Sequence, residues 1–223
     1  MIEEKKFVID FVEGRVKIEL FLEELDRNNA LYEWIQSIVP KGKIGYYDVK
    51  KNPDGSISQE VGLYDIRKMI HFLRYGKGAT PLGRIYNIHS EVSRLVLGAF
   101  PNENIQVDQS IKNKFIFLLD ACPNYIGGNE VEQAGILEEL YNNLPENASK
   151  TKRIKLFSTE LKKMFHVEKN HYPRWIQEAE WPILNGKPMQ FLYQKQIEKT
   201  TMFTQYYFED ADTKERRIVE QFT

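Results

Sequence analysis

Tyr172-Pro-Arg-Trp-Ile-Gln-Glu-Ala-Glu-Trp-Pro182, continued by Gly186-Lys-Pro-Met-Gln-Phe191, marks where the chain changes period. The stretch carries two of the three tryptophans, Trp175 and Trp181, and three of the nine prolines, Pro173, Pro182 and Pro188. Before it, apolar residues recur at helical spacing; after it they alternate. Met189–Ile197, Thr201–Glu209 and Arg216–Phe222 have the period of two that makes a strand with one buried face. Met202, Thr204, Tyr206 and Phe208 alternate with Phe203, Gln205 and Tyr207. Short turns at Glu198–Thr200 and Asp210–Lys214 predict an antiparallel three-stranded meander.

Upstream, Phe7, Val8, Phe11 and Val12 form one helical stripe ended by Gly14, and Ile18, Phe21, Leu22 and Leu25 form a second. Asn28 or Asn29 caps a third helix, with Leu31, Trp34, Ile35 and Ile38 facing inward and Pro40 closing it. Ile44–Lys50, the turn signal Asn52-Pro-Asp-Gly55 and Ile57–Val61 predict a hairpin. Asp65 caps a helix bearing Ile66, Met69, Ile70 and Leu73, which Gly76-Lys-Gly78 breaks. Thr80-Pro81 opens a long helix through Ala99, closed by Phe100-Pro101. Ile111, Phe115, Leu118 and Leu119 define the next. Asn129 with Glu132 reads as a capping box ahead of Val131, Ile136, Leu137, Leu140 and Tyr141. Ser149 or Thr151 starts a helix that buries Ile154, Phe157, Leu161 and Met164 or Phe165.

The expected fold is therefore α+β. A helical body, residues 1–171 with a hairpin near 44–61, supports a strap and meander, residues 172–223, packed with it as one unit. A chain of 223 residues can bury a sizeable core. The formal charge of −1 gives no global attraction to a polyanion. A lone Cys122 excludes an internal disulfide framework and suits a reducing compartment. The first residues lack a signal-peptide core, and no run reaches the roughly 20 apolar residues of a membrane span. A cytoplasmic bacterial protein with no membrane partner is expected.

Chemistry is sparse in the sequence. Nucleotide-binding, nucleophile-elbow, zinc-protease and dithiol motifs are absent, so no catalytic residue is assigned. His166, Glu168 and His171 could offer metal ligands, but the approach of Pro173 predicts a helix end that separates the two rings; no metal or cofactor is expected. Cys122 reads as a small buried hydrophobe. His71 and His89 read as partly buried structural residues, and Gly127-Gly128 as a plain turn. Residues 115–149 hold no Lys or Arg and six acids, whereas 150–174 hold eight bases against Glu160 and Glu168. Two facing surfaces explain that segregation most simply. Lys152, Arg153 and Lys155 remain candidate contacts for an acidic partner or phosphates. Tyr172, Arg174, Trp175 and Trp181 are candidate binding residues on the strap, weighed against a purely packing role for the indoles.

The spacing Trp175-Ile-Gln-x-x-Glu-Trp-Pro-x-x-x-Gly-Lys-Pro-Met-x-Phe-x-x-Gln194 resembles a group of uncharacterised bacterial proteins. Their endings are also similar to Tyr207-Phe-Glu-Asp-x-Asp-Thr-Lys-Glu215 and Val219-Glu-Gln-Phe222. More distantly, the core of that segment resembles YwqG-like proteins, some of which are suspected of roles in toxin–immunity systems. The Gly-Gly-x-Pro element that often precedes Trp-Pro in YwqG-like proteins is replaced here by Tyr-Pro-Arg. With the missing motifs and the segregated charge, this resemblance implies a non-catalytic binding protein of immunity type, whose partner is another protein. A ligand or enzyme cleft between helices and sheet, and nucleic-acid binding through Lys150–Lys163, are the alternatives.

Overall fold

The computed structural model describes residues 2–40, 47–51, 57–61, 65–75, 80–198 and 203–222. The fold is α+β, with helices, a two-stranded hairpin and a C-terminal three-stranded antiparallel sheet. The chain forms two compact units, Met1–Ala79 with Gly83–Ile111, and Thr80–Leu82 with Lys112–Thr223. The main boundary between them falls at Ile111–Lys112. The reason lies in the packing: helices between 110 and 165 share one apolar cluster with the sheet.

The first unit contains α1 (Ile2–Val12), α2 (Ile18–Arg27), α3 (Asn29–Ile38), β1 (Tyr47–Lys51), β2 (Ile57–Val61), α4 (Ile66–Tyr75) and most of α5 (Pro81–Ala99). Gly14, at φ +78°, ends α1 in the left-handed conformation that glycine adopts without steric cost. The Asn28 side chain accepts from the Leu31 amide at 3.2 Å and caps α3. Asp65 accepts from the Lys68 amide at 3.0 Å and does the same for α4. Val8, Phe11, Phe21, Leu25, Leu31 and Ile35 are buried together with Ile66, Met69, Val92 and Val96. Phe11 stacks on Phe21 at 4.0 Å. Each such side chain contributes about 1.5–3 kcal/mol by leaving water. β1 and β2 pair antiparallel from Tyr47 opposite Val61 to Lys51 opposite Ile57. The predicted turn at Asn52–Gly55, the breaker at Gly76–Gly78 and the strand residues Ile44–Tyr46 lie outside the described residues.

The second unit adds most of α6 (Ser110–Ala121), with α7 (Asn129–Gln133), α8 (Ile136–Asn142) and α9 (Lys150–Met164). It also holds β3 (Ile183–Leu184), β4 (Lys187–Pro188), β5 (Gln190–Glu198), β6 (Phe203–Glu209) and β7 (Arg216–Gln221). The sheet order is β5-β6-β7. On β6, Thr204, Tyr206 and Phe208 are buried, as the alternation requires. Phe208, Phe191, Trp181, Phe165 and Phe157 meet in one aromatic core. Glu198, the first residue of the predicted turn, ends β5; residues 199 and 200 of that turn lie outside the described residues, as do Thr201 and Met202.

Several local expectations are corrected. Asn129 does not cap α7; the N-cap is Gly128, and no side chain bonds there. Glu132 instead accepts from the Leu82 amide at 2.9 Å. Gly135, at φ +72°, divides the expected single helix into α7 and α8. Leu119 is 65% exposed, because α6 buries Phe117, Leu118 and Ala121 instead. His71 is exposed and leans on Tyr75 at 4.7 Å, since the neighbouring Ile66, Met69 and Ile70 take the inner face. The β3–β4 hairpin was not expected. Asn185 and Gly186 both take positive φ between its strands, the requirement of a type I′ turn.

Candidate functional site

The strap, residues 173–182, has no regular strand or helix, so its backbone needs other partners. Side chains of the sheet supply them. Gln194 accepts from the Arg174 amide at 2.8 Å. The Tyr206 hydroxyl accepts from the Ile176 amide at 3.0 Å and donates to the Arg174 carbonyl at 2.9 Å. Gln221 Oε1 accepts from the Ile176 and Gln177 amides, each at 3.1 Å, while its Nε2 donates to the Glu178 carbonyl at 2.7 Å. Burial pushes the Tyr206 phenol up, although the Ile176 amide opposes it.

The two strap tryptophans anchor the aromatic core. Trp181 is 1% exposed; its Nε1 donates to the Met189 carbonyl at 2.8 Å. Its ring meets Phe165 and Phe208 edge-on at 5.1 and 5.5 Å. Trp175 is half-buried, donates to the Tyr125 carbonyl at 2.9 Å and lies 4.4 Å from Tyr206. Trp181 therefore belongs to the interior, whereas one side of Trp175 lines the surface.

Around the strap a continuous polar–aromatic surface forms. Tyr125 stacks on Tyr172 at 4.1 Å with an interplanar angle of 16°. Tyr125, Tyr172, Arg174, Trp175 and Gln177 line an open depression of about 490 Å³. A neighbouring depression of about 360 Å³ shares Tyr172 and Arg174 and adds His171, Tyr193 and Gln194. Tyr193, 53% exposed, stacks on Tyr207 across the sheet at 4.5 Å. Arg174 is exposed, and its guanidinium has no hydrogen-bond or ion-pair partner among the described residues. The structure thus gathers Tyr172, Arg174 and Trp175. The sequence reading missed Tyr125, Tyr193 and Tyr207. Period-two alternation places Tyr207 opposite the buried Tyr206 face and was the available signal for it; the Tyr125–Tyr172 contact leaves no local pattern.

Lys152, Arg153 and Lys155 lie elsewhere, on α9, and none lines these depressions. Lys152 and Lys155 are exposed. The Arg153 guanidinium sits 5.3 Å from the Phe117 and Tyr141 ring centroids, a packing role for its charge. Lys150 pairs with Asp120 at 2.7 Å, and Lys114 with Glu138. One residue of the basic segment, Lys150, is thus paired with the acidic block.

The candidate reactive groups are engaged locally. Burial, then the Glu132 charge, pushes the Cys122 thiol up to about 12, and its Sγ donates to the Ile126 carbonyl at 3.1 Å. His89 Nε2 lies 3.1 Å from the Val12 carbonyl, and His171 Nε2 lies 3.0 Å from that of Phe191. Among the described residues, no group of three or more His, Cys, Asp and Glu is placed to hold a metal. No described helix is long and apolar enough to cross a membrane. Compared with protein-family models, curated proteins and solved structures, the chain finds no match.

Proposed function

We propose that this chain is a non-catalytic binding protein whose partner is another protein, docked on the surface around Tyr172, Arg174 and Tyr193. The observation that carries this reading is the flanking of an unpaired Arg174 by two stacked tyrosine pairs, Tyr125–Tyr172 and Tyr193–Tyr207. Tyrosine, tryptophan and arginine dominate interface hot spots. Aromatic rings bury large areas at low entropic cost, and a guanidinium bonds carboxylates and carbonyls in a fixed fork. Tyr172 and Tyr193 are held in place by their stacking partners, which lowers the ordering cost of binding. The protonated Cys122 and the carbonyl-bound His89 and His171 support a non-catalytic role.

The resemblance in Trp175–Gln194 makes a toxin the first partner to test, in a bacterial cytoplasm. Affinity capture from the source cell, followed by calorimetry with the captured protein, measures the interaction. Arg174→Ala with Tyr193→Ala should weaken it by tenfold or more, with the circular dichroism spectrum unchanged. A partner held equally well by the parent and the double variant would overturn the proposed surface.

A further inference from the structure

A second surface lies along β7, the edge strand of the β5-β6-β7 sheet. Strand β7 pairs with β6 on one side, from Glu209 opposite Arg216 to Thr204 opposite Gln221. On its other side, residues 216–220 receive no backbone hydrogen bond from elsewhere among the described residues. An edge strand presents alternate N–H and C=O groups to its surroundings and is a template for another chain unless it is covered. Here a groove of about 330 Å³ runs beside it, bounded by Arg217–Glu220, the Gly128–Glu130 turn and Glu180–Pro182. The strap closes the far end, where Gln177 Nε2 donates to the Phe222 carbonyl at 2.6 Å. Four residues at about 3.3 Å each give an open edge of roughly 13 Å, enough for a short extended segment.

The groove has a charge preference. Arg217 makes a bidentate pair with Glu130, at 2.7 and 2.9 Å, tying β7 to the start of α7. Burial opposes ionisation of Glu130, but the Ile183 amide and Arg217 outweigh it and hold its carboxyl below the ordinary value. Arg216 pairs with Glu209 at 3.2 Å. Each cation of β7 thus has a carboxylate partner within the chain, although Arg216 shares Glu209 with Lys214 at 3.6 Å. Glu180 and Glu220, both exposed, meet no cation among the described residues; Glu220 receives only the neutral Gln205 amide at 2.7 Å. Ile218, 49% exposed, offers an apolar contact in the same groove.

We infer that the β7 edge accepts an extended, basic peptide segment by strand addition. Main-chain hydrogen bonds to residues 217–220 hold the segment, and its alternate cationic side chains meet Glu180 and Glu220. The surface is distinct from the one around Arg174, so each can fail without the other. The probe is the acetylated, amidated hexapeptide Lys-Thr-Lys-Val-Lys-Thr, followed by fluorescence anisotropy and by amide exchange of the whole protein. The expected result is saturable binding that slows exchange at 217–220 and weakens as salt rises. It is lost when alternate peptide nitrogens are methylated. Glu180→Lys with Glu220→Lys should weaken it tenfold or more; should that variant not fold, the salt dependence of the parent carries the charge test. No saturable binding, equal binding of Glu-Thr-Glu-Val-Glu-Thr, insensitivity to N-methylation, or protection at Tyr193 and Tyr207 instead would each overturn the inference.

Discussion

The two units pair their backbone polar groups in different ways. In Met1–Ala79 with Gly83–Ile111, helices satisfy their own backbones, and mainly aliphatic side chains fill the space between them. Polar help there runs from the local Asn28 cap on the Leu31 amide to single long-range bonds, such as Gln36 accepting from the Ile66 amide at 3.0 Å and Arg67 donating to the Leu25 carbonyl at 3.1 Å. In Thr80–Leu82 with Lys112–Thr223, an irregular strap lies against a sheet under an aromatic core. There Tyr206, Gln194 and Gln221 bond backbone groups 20 to 45 residues away in sequence. Helical packing spreads stability over many similar contacts. The strap concentrates it in a few side chains whose loss leaves several groups unpaired at once.

The largest expected effect tests that concentration at its centre. Trp181→Ala should cost about 3–5 kcal/mol, because it opens a cavity among Phe165, Phe208 and Met189 and orphans the Met189 carbonyl. Urea unfolding followed by circular dichroism measures the loss. Hydrogen exchange should place it in residues 112–222, with α1 to α3 retaining parental protection. A uniform loss of protection through both units would show that they unfold as one, and the contrast between them would carry no energetic meaning.

A smaller effect compares one side chain from each unit. Gln221→Ala removes the partner of the Gln177 amide and of the Glu178 carbonyl, and leaves the Ile176 amide only the Tyr206 hydroxyl. The expected cost is about 1–3 kcal/mol, the penalty for leaving such groups buried without partners. Exchange at Gln177, which loses its acceptor, should quicken before the sheet responds. Asn28→Ala, which removes one cap bond, should cost only about 1 kcal/mol. Equal costs for the two would mean that water replaces Gln221 as readily as it replaces a helix cap.

The same contrast explains what the sequence made legible. Stripes such as Phe21–Leu25 and Ile66–Ile70 are local and periodic, so the helices could be placed, and Asn28, Asp65 and Ser149 could be recognised as caps. The alternation of Thr204, Tyr206 and Phe208 likewise showed the sheet and its buried face. Glu132 misled because a distant amide, Leu82, competed for it and won over the local cap. The Asn185-Gly186 turn carried its signal openly, but its flanking strands are two residues long, too short for alternation to be read. At the candidate surface, Tyr172, Arg174 and Trp175 were visible because the strap is compositionally unusual. Tyr125 and Tyr193 were not, since no chemical pattern in the chain encodes which distant ring a tyrosine will meet.

The smallest expected effect separates the units by pH. Asp210 shapes the β6–β7 turn: its Oδ1 accepts from the Thr213 amide at 2.7 Å, the Thr213 hydroxyl at 2.9 Å and the Asp212 amide at 3.1 Å. The Thr213 amide and hydroxyl hold its carboxyl below the ordinary value, against a smaller opposing contribution from burial. A depressed folded value means that the ionised form is favoured by folding. Its contribution is therefore present above the unfolded value of about 3.9 and lost as pH falls through the folded one. Asp210→Asn keeps an oxygen at the turn but removes the charge. The parent should exceed this variant in stability at pH 7, and the difference should close in acid below the parent's folded value. The Asn28 cap is uncharged in both folded and unfolded chains, so the Asn28→Ala difference should have no matching acid-dependent loss. An Asp210→Asn difference that persists unchanged into strong acid would show that shape alone, and not the ionised carboxylate, holds the turn.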